Sequence, residues 1–382
     1  MKLLFASDSF KGSLSSEKTA ELLTKAAREV FGTCETSGVA VADGGEGTVD
    51  AVISAERGEK VSVKVHGPLS GAPVEADYGL LSGGRAVIEM AAASGLPLVP
   101  ETLRNPLNTT TYGTGELILD ALNRGYRDIS IAIGGSATND GGMGCAKALG
   151  VRFLDADGAE LDGYGRDLSR VAHIDASGLD PRLNGAAVTV MCDVTNPLCG
   201  ERGATYTFGA QKGATPEIQK ELESGMQNYR DIILREFGVD CDKVEGAGAA
   251  GGLGAALKVF LNGNMKSGVE TVLELIHFDE RLNGVDLVVT GEGRTDWQSC
   301  FGKVMQGVGT HAKAKGIPVV GLSGSLGRDA LDITKHGVES LMTTVNAPMP
   351  LQEALDNAET LYYEGALRMF RFIRVGMDIA SK

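Results

Sequence analysis

Residues 131–144, Ile131-Ala-Ile-Gly-Gly-Ser-Ala-Thr-Asn-Asp-Gly-Gly-Met-Gly144, join a short apolar run to a helix-forming segment through a turn crowded with glycine. The run from Ile129 to Ile133 reads as a buried strand, and Cys145 to Gly150 as a helix. Strand, glycine-rich turn and helix in that order point backbone N–H groups at an anion. Asp140 inside the turn is placed to hold a metal ion beside a phosphate. A tight turn that binds nothing has the same local pattern, so repetition is what constrains the fold. Lys2 to Ala6 is an apolar run ending in Asp8-Ser-Phe-Lys-Gly12, and a helix opens at Ser15 and runs to about Phe31. Gly38 to Ala42 ends in Asp43-Gly-Gly-Glu-Gly-Thr48, with a helix over Val49 to Ala55. Val285 to Thr290 leads into Gly291-Glu-Gly-Arg-Thr-Asp296, and Ile317 to Leu322 into Ser323-Gly-Ser-Leu-Gly327. The 53 glycines, about twice the usual share of roughly 7%, gather in such turns. Alternating β and α units with tight turns predict an α/β protein.

The middle of the chain has a different texture. Val61-Ser-Val-Lys-Val65 alternates with period two between turn signals, which predicts an antiparallel hairpin over 59–81. A strand is expected at 86–91, a helix at 113–123, a second hairpin at 152–160 and a strand at 187–192. Thr215-Pro216-Glu217 marks the start of a long helix to Phe237, and another helix is expected from Gly246 to about Leu261. The predicted architecture has two domains. A doubly wound, Rossmann-like or flavodoxin-like domain is built from both chain ends, 1–58 plus 283–382. A mixed α/β domain, 59–282, is inserted, and the cleft between them is the expected site.

The formal net charge of −14 argues against a nucleic-acid surface and against anionic lipid. A local cluster of Lys, Arg and N–H groups can still receive a small anion. Cys34, Cys145, Cys192, Cys199, Cys241 and Cys300 contain no C-x-x-C pair, which predicts reduced thiols rather than disulfides or zinc. Leu3 to Ala6 is too short for a signal-peptide core, and no apolar run approaches the roughly 18 residues of a membrane span. A cytoplasmic protein is expected.

Gly246-Ala-Gly-Ala-Ala-Gly251 matches the dinucleotide pattern, but the charged segment Asp240 to Glu245 makes a poor strand and the fingerprint needs one before it. No phosphate-binding run of the G-x-x-x-x-G-K-[ST] kind is present, and protein-kinase motifs are absent. A nucleotide site here is therefore of another type. It would still need N–H donors, cations near the transferred phosphoryl group and carboxylates for Mg²⁺. Lys11, Lys212, Arg294 and Lys303 lie near the glycine-rich turns; a solvated surface charge is the bland reading of each. The five histidines form no metal-binding cluster. Asp8, Asp43, Asp193 and Asp296 each follow the C-terminal end of a predicted strand, where ligands bind in open parallel sheets. One such Asp is commonly a helix cap; four at equivalent places point to a metal or general-base role for at least one.

Taken together these segments resemble the bacterial type I glycerate kinases from end to end. The resemblance is carried by Asp8-Ser-Phe-Lys-Gly12, Ala42-Asp-Gly-Gly-Glu-Gly-Thr48, Ile88-Glu-Met-Ala-Ala-Ala-Ser-Gly95 and Gly113-Thr-Gly-Glu-Leu-Ile118. Gly134-Gly-Ser-Ala-Thr-Asn-Asp-Gly-Gly142, Cys192-Asp-Val-Thr-Asn-Pro-Leu198, Gln211-Lys-Gly-Ala-Thr215 and Thr290-Gly-Glu-Gly-Arg-Thr-Asp296 complete it. Ala210 and Met305 stand where the family commonly has proline, and Trp297 and Cys300-Phe301 are unusual. These departures leave the polar groups in place.

The resemblance implies ATP and Mg²⁺, D-glycerate as the acceptor, and transfer to its C2 hydroxyl. On that implication Asp8 or Asp193 takes the hydroxyl proton, and Asp43 and Asp296 hold Mg²⁺. Lys11 or Lys212 neutralises the transferring phosphoryl group. Ser9, Gly44, Gly45, Gly134, Gly135, Ser136, Thr138 and Gln211 contact phosphate or substrate, and Arg294 is a further partner for the substrate carboxylate. A monomer or homodimer with no nucleic-acid or membrane partner is expected. The competing classes are a nucleotide-cofactor oxidoreductase using the 246–251 turn and a non-catalytic sensor of a small hydroxy acid.

Overall fold

The computed structural model describes residues 1–382. The chain divides into two compact units, Met1–Asp43 with Asp50–Glu56 and Gly268–Lys382, and Gly44–Val49 with Arg57–Ser267.

The first unit holds a five-stranded sheet in which every neighbouring pair is parallel. Across the sheet lie Val338–Thr343, Val319–Ser323, Leu287–Thr290, Lys2–Ser7 and Glu35–Ala40. Numbered along the chain within this unit, the order is 2-1-3-4-5, the flavodoxin-like arrangement. Its strands are apolar on both sides because helices cover both faces. Leu3, Phe5, Leu287 and Val289 pack with Leu23 and Ala27 of the Ser16–Phe31 helix and with Met369 and Phe370 of the Ala358–Ala380 helix. Leu4 and Val288 are as fully buried as these, although they point the other way along each strand. Ser15 caps the first helix by accepting a bond from the Lys18 backbone N–H at 3.2 Å. The edge strand Val338–Thr343 is absent from the sequence reading. Its pattern is mostly polar or partly exposed, so the period that marks a buried strand is missing.

The second unit is built on a six-stranded mixed sheet: Asn264–Lys266, Ala187–Met191, Asp128–Ala132, Arg85–Glu89, Pro73–Leu81 and Glu59–His66. The hairpin expected over 59–81 is present, paired from Glu59 with Leu80 to His66 with Pro73. The long helix is Pro216–Phe237, capped by Thr215, whose hydroxyl accepts the Ile218 N–H. The hairpin expected at 152–160 is different: Arg152–Leu154 pairs antiparallel with His173–Asp175, and only Leu154 and Glu160 bridge locally. No helix of the chain is long and apolar enough to cross a membrane.

Candidate active site

The switch point of a 2-1-3-4-5 sheet lies between its first and third strands, outside their carboxyl ends. In the first unit these ends deliver Asp8 after Lys2–Ser7 and Glu292 after Leu287–Thr290. Asp43 follows Glu35–Ala40 at the neighbouring strand. All three line a cavity of ≈1020 Å³, together with Lys11, Arg294 and Lys303. Asp8 Oδ1 accepts the backbone N–H of Ser9 at 2.7 Å, and the Asp8 N–H is held by the carbonyl of Gly291 at 3.0 Å. The first and third strand ends are thereby tied together. Burial, then the charge of Asp43, push the Asp8 carboxyl up from 3.8 to about 6. Burial also raises Glu292, against the hydrogen bond it accepts from the Ser299 hydroxyl at 2.5 Å.

Arg294 and Asp296 pair with each other, Nε to Oδ2 at 3.6 Å. Asp296 also caps the short turn Trp297–Cys300, with Oδ1 accepting the Gln298 N–H at 2.9 Å. It is outside the lining of the cavity, which includes Ser9 and Arg294. No group of three His, Cys, Asp or Glu side chains is arranged to hold a metal ion by protein ligands alone. Mg²⁺ ordinarily takes one or two carboxylates and completes its shell with water and substrate phosphates. Asp43, which lines the cavity close enough to Asp8 to raise it by charge, fits an ion held in that way.

The second unit carries the glycine-rich turn of residues 134–142. After Asp128–Ala132 the backbone reaches Gly135 at φ 75°, a left-handed conformation that glycine adopts without strain. The Gly44–Gly45 segment lies against it: a Cβ at Gly134 would stand 3.5 Å from the Cα of Gly45. Beneath the turn is Lys212, only 2% exposed. Its Nζ donates to Ser136 Oγ at 2.7 Å and to the Thr138 carbonyl at 2.6 Å. Burial lowers the amine to about 7, and the charge of Asp140 works the other way. Lys212 is thus a strut under the turn. Ser136 is nearly buried, and Thr138 wholly buried with its hydroxyl unpartnered. Gln211 and Asp193 are exposed on this unit.

Asp140 is committed to structure, which corrects its reading as a metal carboxylate. It is fully buried. It accepts the N–H and hydroxyl of Thr111 at 2.7 and 2.8 Å and the N–H groups of Gly142 and Gly144 at 3.0 and 3.2 Å. With four donors and no exposed surface, it is closed to a ligand. The Gly246–Gly251 stretch is preceded by the 3-10 turn Cys241–Lys243 and no strand. Its glycines serve packing: a Cβ at Gly251, where φ is 67°, would stand 2.0 Å from the Thr138 carbonyl oxygen. Glu292 is the residue that sequence reasoning passed over. Its position directly after a strand and a glycine, equivalent to that of Asp8, is the signal that marks it.

A parallel-sheet switch point lined by carboxylates and cations, with a glycine-rich turn after a strand elsewhere in the chain, marks the class as an α/β enzyme. A family model described as the glycerate kinase family matches residues 3–374, and the chain belongs to that family. It is 45% identical over 383 residues to the glycerate 2-kinase of Escherichia coli K12, covering 100% of this chain and 99% of that one. It is 47% identical over 359 residues to a glycerate kinase of Bacillus subtilis 168, covering 94% of each. A crystal structure of a candidate glycerate kinase 2 from Salmonella typhimurium LT2 superposes with a TM-score of 0.89 at 44% identity, covering 99% of both chains.

Proposed function

We propose that the protein transfers the γ-phosphoryl group of ATP to the C2 hydroxyl of D-glycerate, giving 2-phospho-D-glycerate and ADP. The family supplies the reaction class. The C2 position is supported by full-length similarity to a protein named as a glycerate 2-kinase. The observation that carries the chemistry is Asp8, a carboxylate at the switch point whose proton affinity is raised to about 6 by burial and by Asp43. A base of that strength is mostly ionised at neutral pH yet strong enough to take a hydroxyl proton. As the C2 oxygen bonds to the γ-phosphorus, its proton passes to the Asp8 carboxylate. The bond from phosphorus to the β,γ-bridging oxygen breaks, and ADP leaves with that electron pair. Lys11 and Lys303 offset charge on the phosphates. Mg²⁺ supplies further charge neutralisation when bound, with Asp43 as its carboxylate. Asp296, spent on a turn cap and on Arg294, is the weaker metal candidate, and exposed Asp193 the weaker base.

In the second unit, Lys212 acts by position. It fixes Ser136, whose hydroxyl, with the exposed Gly134–Gly135 backbone before it, forms a subsite for a substrate anion. A cytoplasmic location, where ATP is at hand, goes with this reading. The test is ADP release by the full chain with D-glycerate and Mg²⁺ supplied or omitted. ADP release that needs both is expected; release indifferent to D-glycerate removes the reading.

A further inference from the structure

The cavity of the first unit is much larger than a three-carbon acid requires. At ≈1020 Å³ it is at the upper end of the roughly 300–1,000 Å³ typical of small-molecule sites. It is also chemically divided. One part is the ionic cluster of Asp8, Lys11, Asp43, Glu292 and Lys303. The other is an apolar wall made by Val345, Met349, Leu351, Ala354 and Leu355. This wall comes from the segment after the edge strand Val338–Thr343 and from the short helix Leu351–Asp356.

Two polar side chains of this segment are held by hydrogen bonds. Thr343 Oγ1 donates to the Val345 carbonyl at 3.1 Å, and Asn346 Nδ2 to Glu364 at 3.2 Å. Arg368 Nη2 donates to the carbonyls of Thr343 and Thr344 at 3.3 and 3.0 Å. The segment is therefore anchored, and what it offers the cavity is mainly hydrocarbon. Leu351 is 76% exposed, so its side chain is open to a ligand in the cavity that it lines.

A small hydroxy acid has no apolar face to set against such a wall. A nucleoside triphosphate has both halves, a flat base at one end and a multiply charged tail at the other. We infer that this cavity is the nucleotide site, with the base against the Val345–Leu355 wall and the triphosphate directed to Lys11 and Lys303. The inference rests on the kinase reading for ATP as the donor, but not on the identity of the acceptor.

The test uses the full-length protein with Leu355→Arg and Ala354→Phe, both at partly exposed positions. One charges the wall and the other fills it. Photolabelling by azido-ATP with Mg²⁺, blocked by unlabelled ATP, is mapped by peptide mass spectrometry. ATP binding is measured by calorimetry and turnover by ADP release. The expected label falls within residues 343–358. Both variants weaken ATP binding about tenfold or more, while the KM for D-glycerate changes less than about twofold and the circular dichroism is unchanged. Labelling within residues 134–142, or folded variants that bind ATP like the parent, overturns the assignment. ATP binding that follows these expectations without any glycerate-dependent turnover would instead remove the kinase reading and leave the site in place.

Discussion

Asp8→Asn should make the protein more stable and nearly inactive. Burial, and then the negative charge of Asp43, raise the Asp8 carboxyl from 3.8 to about 6. Between those values the native state binds more protons than the unfolded chain, so stability falls as pH rises through the window. Above 6 the loss is complete; below 3.8 it vanishes. Roughly two pH units at about 1.4 kcal/mol each amount to about 3 kcal/mol near pH 7, a sizeable share of an ordinary domain's stability. Asparagine does not titrate, and its carbonyl oxygen can still accept the Ser9 N–H that Asp8 accepts at 2.7 Å. The variant should therefore gain up to about 3 kcal/mol at pH 7 and close to nothing at pH 4. Trp297 is the only tryptophan and belongs to the first unit, so its fluorescence in urea follows the relevant unfolding. In the same variant kcat should fall by about 10²-fold or more, because the proton acceptor is gone. A variant less stable than the parent at pH 7, or one with near-parental kcat, would refute the reasoning.

Three further substitutions test the surroundings of both sites. Glu292→Gln removes a negative charge that helps to raise Asp8, so the acidic limb of the pH profile of kcat/KM should move to lower pH; an unmoved limb would separate the two carboxylates. Lys212→Met keeps the buried stem but removes the bonds to Ser136 and Thr138. Its kcat/KM should fall at least about tenfold, while denaturant stability changes by no more than about 1–3 kcal/mol; unchanged kinetics would show that the strut does not matter. Gly251→Ala places a Cβ 2.0 Å from the Thr138 carbonyl oxygen at φ 67°. A loss of about 2–4 kcal/mol is expected in urea melts, and a neutral result would mean that the backbone there yields easily.

What the sequence disclosed follows from the range of the interactions concerned. The Pro216–Phe237 helix and the 59–81 hairpin were legible because cap, proline and alternation are local signals. The strand ends bearing Asp8, Asp43 and Glu292 were legible as places, since an apolar run closing in an acidic turn needs no tertiary information. What each carboxylate does there was not. Asp140 looks as available as Asp8 along the chain, yet Thr111, 29 positions away, takes one of its oxygens. Asp296 looks equivalent to Asp43 and is a cap. Lys212 looks like a surface lysine after an exposed Gln211, and its burial depends on a turn formed more than seventy residues earlier. The Val338–Thr343 strand lacks a clear pattern because it lies at the sheet edge, where one side pairs and the other meets solvent.

The central claim is a kinase acting at C2 of glycerate, and the product tests it most directly. The full chain is incubated with ATP, Mg²⁺ and D-glycerate, and the product is passed to enolase, with or without phosphoglycerate mutase. The account predicts ADP formation and a product that enolase consumes without the mutase. A product that enolase accepts only after the mutase has acted would place the phosphate on C3 and contradict it.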